Sequence, residues 1–216
     1  MTIDAPQHDL TGPDGTVRAS GPLTAWRVVD LVTTAVVGVA FGVVFLAWNG
    51  VYTLAAPLFV AVAPASGLLS GMYLAPAVVG ALLIRRPGAA LFTELVAAFV
   101  EMALGNQWGA TVLISGVMQG LGVELVLALV LWRRWSLVVA VAAGIASAVV
   151  EIVGYEWWSY YGEQPWSARW AYLGFVVLSG AVVAGLGGYL LVRALAGTGA
   201  LSAFPAGVEH AERTAS

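Results

Sequence analysis

Apolar residues in this chain come in long runs with little alternation. The runs fall at about residues 27–48, 67–84, 88–105, 110–132, 136–157 and 170–195, separated by short polar or Gly/Pro clusters. A helix needs about 20 apolar residues to cross a bilayer. The pattern therefore predicts an all-α integral membrane protein with six transmembrane helices. Residues 51–63, bracketed by Asn49-Gly50 and Pro64, are too short to cross. They are expected to form an extra short half-helix or surface cap. Residues 1–25 are rich in Asp, Pro and Gly, and lack the basic start and apolar core of a signal peptide. They read as a disordered tail, and residues 197–216 as a second, flexible one. The membrane domain is thus expected at 26–196.

Composition supports this reading. Of the 216 residues, 60% are hydrophobic and only 10% charged, with a mean hydropathy of +0.89, whereas soluble domains carry about 25% charged residues. The chain has no Lys, and its nine basic residues are all Arg. With six spans and the N-terminus in the cytoplasm, Arg18, Arg27, Arg85, Arg86, Arg133, Arg134, Arg193 and Arg213 all fall inside, leaving Arg169 outside. A seventh span at 51–63 would move Arg85-Arg86 and Arg133-Arg134 outside. Both termini are therefore expected in the cytoplasm of a multi-pass plasma-membrane protein. Cysteine is absent, and His8 and His210 lie in the tails. No thiolate, metal site or Ser–His pair is expected within the spans, and no cofactor. The scattered arginines exclude a nucleic-acid surface.

Acids inside apolar runs are costly and need a pair, a ligand or a proton. Four occur: Glu94, Glu101, Glu124 and Glu151. At a rise of 1.5 Å per residue, Glu94 lies about 9 Å and Glu101 about 20 Å from the inner end of the third span, and Glu151 about 22 Å along the fifth. The polar groups divide into two layers. The outer layer holds Trp48, Glu101, Asn106, Gln107, Trp108, Glu151, Tyr155, Trp157 and Trp158. Ser147, Glu151, Tyr155 and Trp158 follow one stripe of the fifth helix. Acids, amides and aromatic faces at one depth suit a cationic heteroaromatic solute. The indoles alternatively serve as an interfacial belt. Glu94 and Glu124 form the inner layer, with a structural or coupling role. Glu156 and Glu163 read as solvated charges of the aromatic 156–170 connection, which is suited to a lid. On the first span, Thr34, Gly38 and Gly42 recur every four residues beside Ala35. Such a small-residue face packs against a helix of the same chain or docks a partner.

Several stretches resemble the YkoE family, substrate-binding S components of energy-coupling-factor (ECF) transporters. They are Phe45-Leu46-Ala47-Trp48, Ala75-Pro76 through Ile84-Arg85-Arg86-Pro87-Gly88, Glu94 to Glu101 with Gly105-Asn106-Gln107-Trp108-Gly109, Gln119-Gly120-Leu121-Gly122-Val123-Glu124, and Ser179-Gly180-Ala181 to Gly185. The resemblance spans about residues 26–201 and is most specific from Arg85 to Trp108. It implies a six-helix binding subunit for thiamine or its hydroxymethylpyrimidine (HMP) precursor. It also implies a transmembrane coupling (T) subunit and two cytoplasmic ATPases as partners, so that ATP is hydrolysed elsewhere. Docking through the first helix would then use Thr34, Ala35, Gly38 and Gly42. Thiamine suits the acids and rings: a carboxylate accepts from its exocyclic amine or neutralises its thiazolium, and an indole or phenol stacks on it. Glu101 or Glu151 is the expected anchor, with Trp48, Trp108, Tyr155 or Trp157 stacking and Asn106 and Gln107 bonding. The rival reading is a proton-coupled secondary carrier with Glu94, Glu101 and Glu124 as relay. An intramembrane acid–base enzyme fits poorly, since Glu94 and Glu101 stand about 10 Å apart along their helix.

Overall fold

A computed structural model describes residues 15–215, and its regular elements are helices. The predicted disorder of residues 1–14 lies outside the described residues, as does Ser216. Helix α1 is Val28–Ala55, α2 Gly71–Ile84, α3 Ala89–Leu104 and α4 Val112–Leu129. Helices α5, Leu137–Ser159, and α6, Trp166–Gly197, each contain a π-helical stretch, at Ile152–Glu156 and Gly180–Gly187. Helix α7 is Pro205–Ala215. Five helical segments are long and apolar enough to cross a membrane: Val28–Phe59, Ala63–Ile84, Gly109–Leu129, Leu137–Ser159 and Trp166–Gly197. Helix α3, 16 residues between the left-handed Gly88 and the positive-φ Gly105, is shorter.

Helix α2 is the axis of the bundle. Its sequence is apolar all round, which suits a helix enclosed on every side. In Ala63–Ile84, 78% of the most apolar window is buried, against 28–44% in the other four segments. Close approach to α2 and between its neighbours depends on missing side chains. A Cβ at Gly80 would lie 2.6 Å from Thr93 Cβ on α3, and one at Gly180 would lie 2.6 Å from the carbonyl oxygen of Gly144 on α5. The small face of α1 is used in the same way. A Cβ at Gly38 would meet Val96 Cβ at 2.7 Å, and one at Gly42 would meet Val100 Cβ at 2.5 Å. Thr34, Gly38 and Gly42 are buried against α3 and Ala35 is half-buried. The face expected to dock a partner is thus packed against this chain's own α3.

The expected break at Asn49-Gly50 does not occur. Helix α1 continues to Ala55, and the chain turns instead through 3₁₀ segments at Ala56–Phe59 and Ala63–Leu69, each with a proline in its first turn. Asn usually interrupts helices by bonding its own backbone. Here Asn49 Nδ2 donates to Glu101 Oε1 at 2.9 Å, and Tyr73 OH donates to Asn49 Oδ1 at 2.5 Å. With those partners the side chain does not compete for α1. No separate half-helix exists at 51–63.

Residues 15–25, assigned by composition to a disordered tail, and α7, assigned to a flexible one, have fixed partners at one end of the bundle. Arg86 pairs with Asp30 at 3.0 Å and donates to the carbonyls of Ser20 and Pro22, each at 2.7 Å. Arg85 pairs with Glu209 of α7 at 2.8 Å and also donates to the Val17 carbonyl. The two arginines are therefore buried, not spread on headgroups. Glu124 lies at this end too. Its Oε1 accepts from the Ala90 N–H at 2.9 Å and its Oε2 from Trp132 Nε1 at 3.3 Å. A carboxylate there satisfies free N–H groups of the first turn of α3 and faces the positive end of the helix dipole.

Candidate ligand-binding site

At the opposite end the helices part around a cavity of about 300 Å³. That volume is at the lower end of ligand pockets, roughly 300–1,000 Å³, and suits one small molecule. Four acids line it: Glu94 and Glu101 from α3, and Glu151 and Glu156 from α5. No Lys, Arg or His is among its lining residues. Glu94, Glu101 and Glu151 are 0%, 3% and 3% exposed. Burial at this level demands partners, and each acid solves the problem differently.

Glu101 Oε1 is held by the Asn49 amide, as described above. Glu151 Oε1 accepts from Gln119 Nε2 at 2.6 Å, and Ser147 Oγ fixes that glutamine's backbone by donating to its carbonyl at 3.0 Å. Each acid thus has one oxygen clamped by an amide from a neighbouring helix. Glu94 Oε2 accepts from the Ala77 N–H at 2.9 Å. Ala77 follows Pro76, whose ring disturbs the backbone ladder of α2. Glu94 Oε1 and Glu156 Oε2 are enclosed and have no hydrogen-bond partner.

Aromatic rings close the cavity. Trp108 stands edge-on to Tyr52 and Tyr73, with centroids 5.6 and 5.8 Å apart. Phe45 packs on Tyr73 at 5.1 Å, with the rings tilted by 59°. Across the cavity Tyr161 lies against Tyr172 at 4.4 Å and 30°. Tyr160, also in the lining, has its hydroxyl 2.6 Å from Thr111 Oγ1, which ties the α5–α6 connection to the start of α4. Arg169, the one arginine expected on the outer side, is 7% exposed. Its guanidinium donates to carbonyls within that connection, Gln164 at 3.0 Å and Gly162, and stacks 4.6 Å from the Trp166 ring.

Known proteins with this sequence and fold decide the family. YkoE of Bacillus subtilis (strain 168), provisionally named as an HMP/thiamine permease protein, is 34% identical over 187 residues, covering 87% of this chain and 93% of that protein. This chain belongs to the YkoE family of ECF-transporter S components. A crystal structure of an S component of an ECF transporter matches with a TM-score of 0.82 and 33% identity, over 88% of this chain and 95% of that one. The family described as ABC-type cobalt transport system, permease component, matches residues 29–150. The chain is accordingly a multi-pass plasma-membrane protein of a transport system.

Within this S component, three of the eight residues expected to bind ligand line the cavity: Glu101, Glu151 and Trp108. The other five have different surroundings. Trp48 Nε1 donates to the Leu69 carbonyl at 2.9 Å and ties α1 to the turn before α2. Asn106 Oδ1 accepts from the Trp108 N–H at 2.7 Å in a local turn, and Gln107 is exposed. Trp157 is buried against Trp166 and Trp170. Tyr155 packs edge-on to Tyr160, outside the lining.

Sequence reasoning misplaced Glu94 and Glu156. Glu94 shares a face with Glu101, and the cavity extends far enough along α3 to take both, so the proposed two-layer division fails for it. Glu156 is not a solvated loop charge but part of the lining. Regular α-helical spacing carries the stripe from Glu151 to Tyr155. The π turn at Ile152–Glu156, in which the Trp157 N–H reaches the Ile152 carbonyl, shifts the register by one residue and brings Glu156 round instead.

Proposed function

We propose that this chain captures thiamine or its HMP precursor from outside the cell and presents it to a transmembrane coupling subunit driven by two ATPases. In this reading α3 completes a set of six crossings with both termini in the cytoplasm, and ATP is hydrolysed in the partners. The observation that carries the proposal is the lining: four carboxylates, two of them oriented by amides, under an indole and several phenols, with no basic side chain. That environment favours a small aromatic cation over an anion or a neutral sugar. The name of the B. subtilis relative supplies the same ligand class.

Energetics permit tight binding. A desolvated cation–π contact contributes about 1–2 kcal/mol, and hydrogen bonds to charged groups about 1.5–3 kcal/mol each. A few together reach the roughly −12 kcal/mol of a nanomolar complex. Calorimetric titration of the purified protein with thiamine and with HMP tests the assignment. At least one should bind tightly, and Glu101→Ala and Glu151→Ala should each weaken it. Unchanged affinity in both variants would sink the site.

Four acids around one cavity also suit the rival reading, a proton-coupled carrier. Vesicles containing this chain alone separate the two. Binding without accumulation supports the S component, whereas uptake driven by a pH gradient supports the carrier.

A further inference from the structure

Among the four acids of the cavity, Glu94 stands out by what it lacks. It is 0% exposed, it lines the cavity, and its Oε1 has no donor. An enclosed acceptor without a donor is costly, and a ligand that supplied one would be bound selectively. Glu101 and Glu151 are less needy, since each already receives an amide N–H. Glu156 also has an unpartnered oxygen, but it is the last residue of the π turn at the aromatic end, next to the Tyr160–Tyr161 connection. Glu94 lies seven residues before Glu101 on α3, about 10 Å further from that end.

The two ends of a thiamine-type ligand differ in what they offer. The thiazolium nitrogen is fully substituted and carries no N–H. It is attracted by charge and by ring faces, but it cannot satisfy a bare acceptor. The exocyclic amine of the pyrimidine carries two N–H donors. The remaining donor, a hydroxyl, sits at the tip of a flexible arm (hydroxyethyl in thiamine, hydroxymethyl in HMP), so the rigid, in-plane amine is the better match for an enclosed oxygen in need of a directional bond.

We propose that Glu94 Oε1 accepts the hydrogen bond of the ligand's exocyclic amine at the inner end of the cavity and so selects aminopyrimidines over oxopyrimidines. This inference rests on the thiamine-type reading above and assigns the other acids and the rings to the cationic end.

The fixed partner of Glu94 makes a sharp test possible. The Ala77 N–H occupies Oε2. In Glu94→Gln the same N–H retains an acceptor only if the amide oxygen takes that place. The amide NH₂ must then lie where Oε1 was, so a donor replaces an acceptor without change of shape. The probes are thiamine and its 4-oxo analogue, in which a carbonyl replaces the exocyclic amine. The wild type should bind thiamine about tenfold or more tightly than the oxo analogue. Glu94→Gln should cut or invert that ratio by about tenfold or more, because the new NH₂ donates to the oxo group. Glu101→Gln and Glu151→Gln should weaken both ligands and leave the ratio alone. An unchanged ratio in Glu94→Gln overturns the assignment, as does an inversion that appears in Glu156→Gln instead. If Glu94→Gln fails to fold, the wild-type ratio still decides, since equal binding of amine and oxo ligands overturns the claim. Absence of any thiamine binding by the wild type is a different failure: it removes the ligand class itself, and the acceptor role with it.

Discussion

Replacing Asn49 with alanine removes the donor to Glu101 Oε1 at 2.9 Å and the acceptor of the Tyr73 hydroxyl at 2.5 Å. Glu101 is 3% exposed, so water replaces the lost amide poorly. A hydrogen bond to a charged group contributes about 1.5–3 kcal/mol, while polar pairs between helices in lipid average nearer 0.6 kcal/mol. These bounds correspond to about 3-fold and about 150-fold in Kd. The deep burial of Glu101 places the expected loss in thiamine affinity at about tenfold or more. A double-mutant cycle with Glu101→Ala isolates the pair. In that background Asn49→Ala should cost little further affinity, because the group it orients is gone. Isothermal calorimetry on protein in nanodiscs gives the four Kd values, with apo melting temperatures to check folding. Equal losses in both backgrounds would refute the claim that Asn49 acts by holding Glu101, as would no loss from Asn49→Ala in a folded protein.

Three further outcomes follow from packing and charge. Gly80→Ala should destabilise the bundle by about 1–3 kcal/mol through collision with Thr93, with part of the melting temperature restored by adding Thr93→Ala; an unchanged melting temperature would contradict the close α2–α3 approach. Glu209→Ala leaves the buried Arg85 without its α7 partner, a change of about 3–5 kcal/mol when a buried pair is broken, and should expose residues 15–27 to limited proteolysis; an unaltered cleavage pattern would refute the clasp. Glu124→Ala should lower thermal stability by about 0.5–2 kcal/mol through loss of an N-terminal cap on α3, yet leave thiamine affinity within a factor of about two, since the residue lies outside the cavity lining; a large fall in affinity would show that it reaches the ligand.

The membrane class of this protein was legible from the length of its apolar runs, because the bilayer sets the length of any helix that crosses it. The extent of the helices was nearly so: the observed elements depart from the predicted runs mostly at their ends. Periodicity along α3 and α5 also placed Glu101 and Glu151 on inward faces, since a buried acid must face the interior of a bundle. Tertiary structure decided what depended on a neighbour. Asn49 continues a helix because α3 offers it Glu101. Gly38 and Gly42 look alike whether α3 or a foreign helix fills them. Trp48, Trp108 and Trp157 share one composition and one approximate depth, but only Trp108 lines the cavity. Glu156 reaches the lining through a π turn that no α-helical spacing predicts. Sequence by itself determined the medium, the extents of the helices and the faces; the partner of each polar atom was determined by helix approach, where shifts of a few ångströms or one residue of register select among chemically equivalent neighbours.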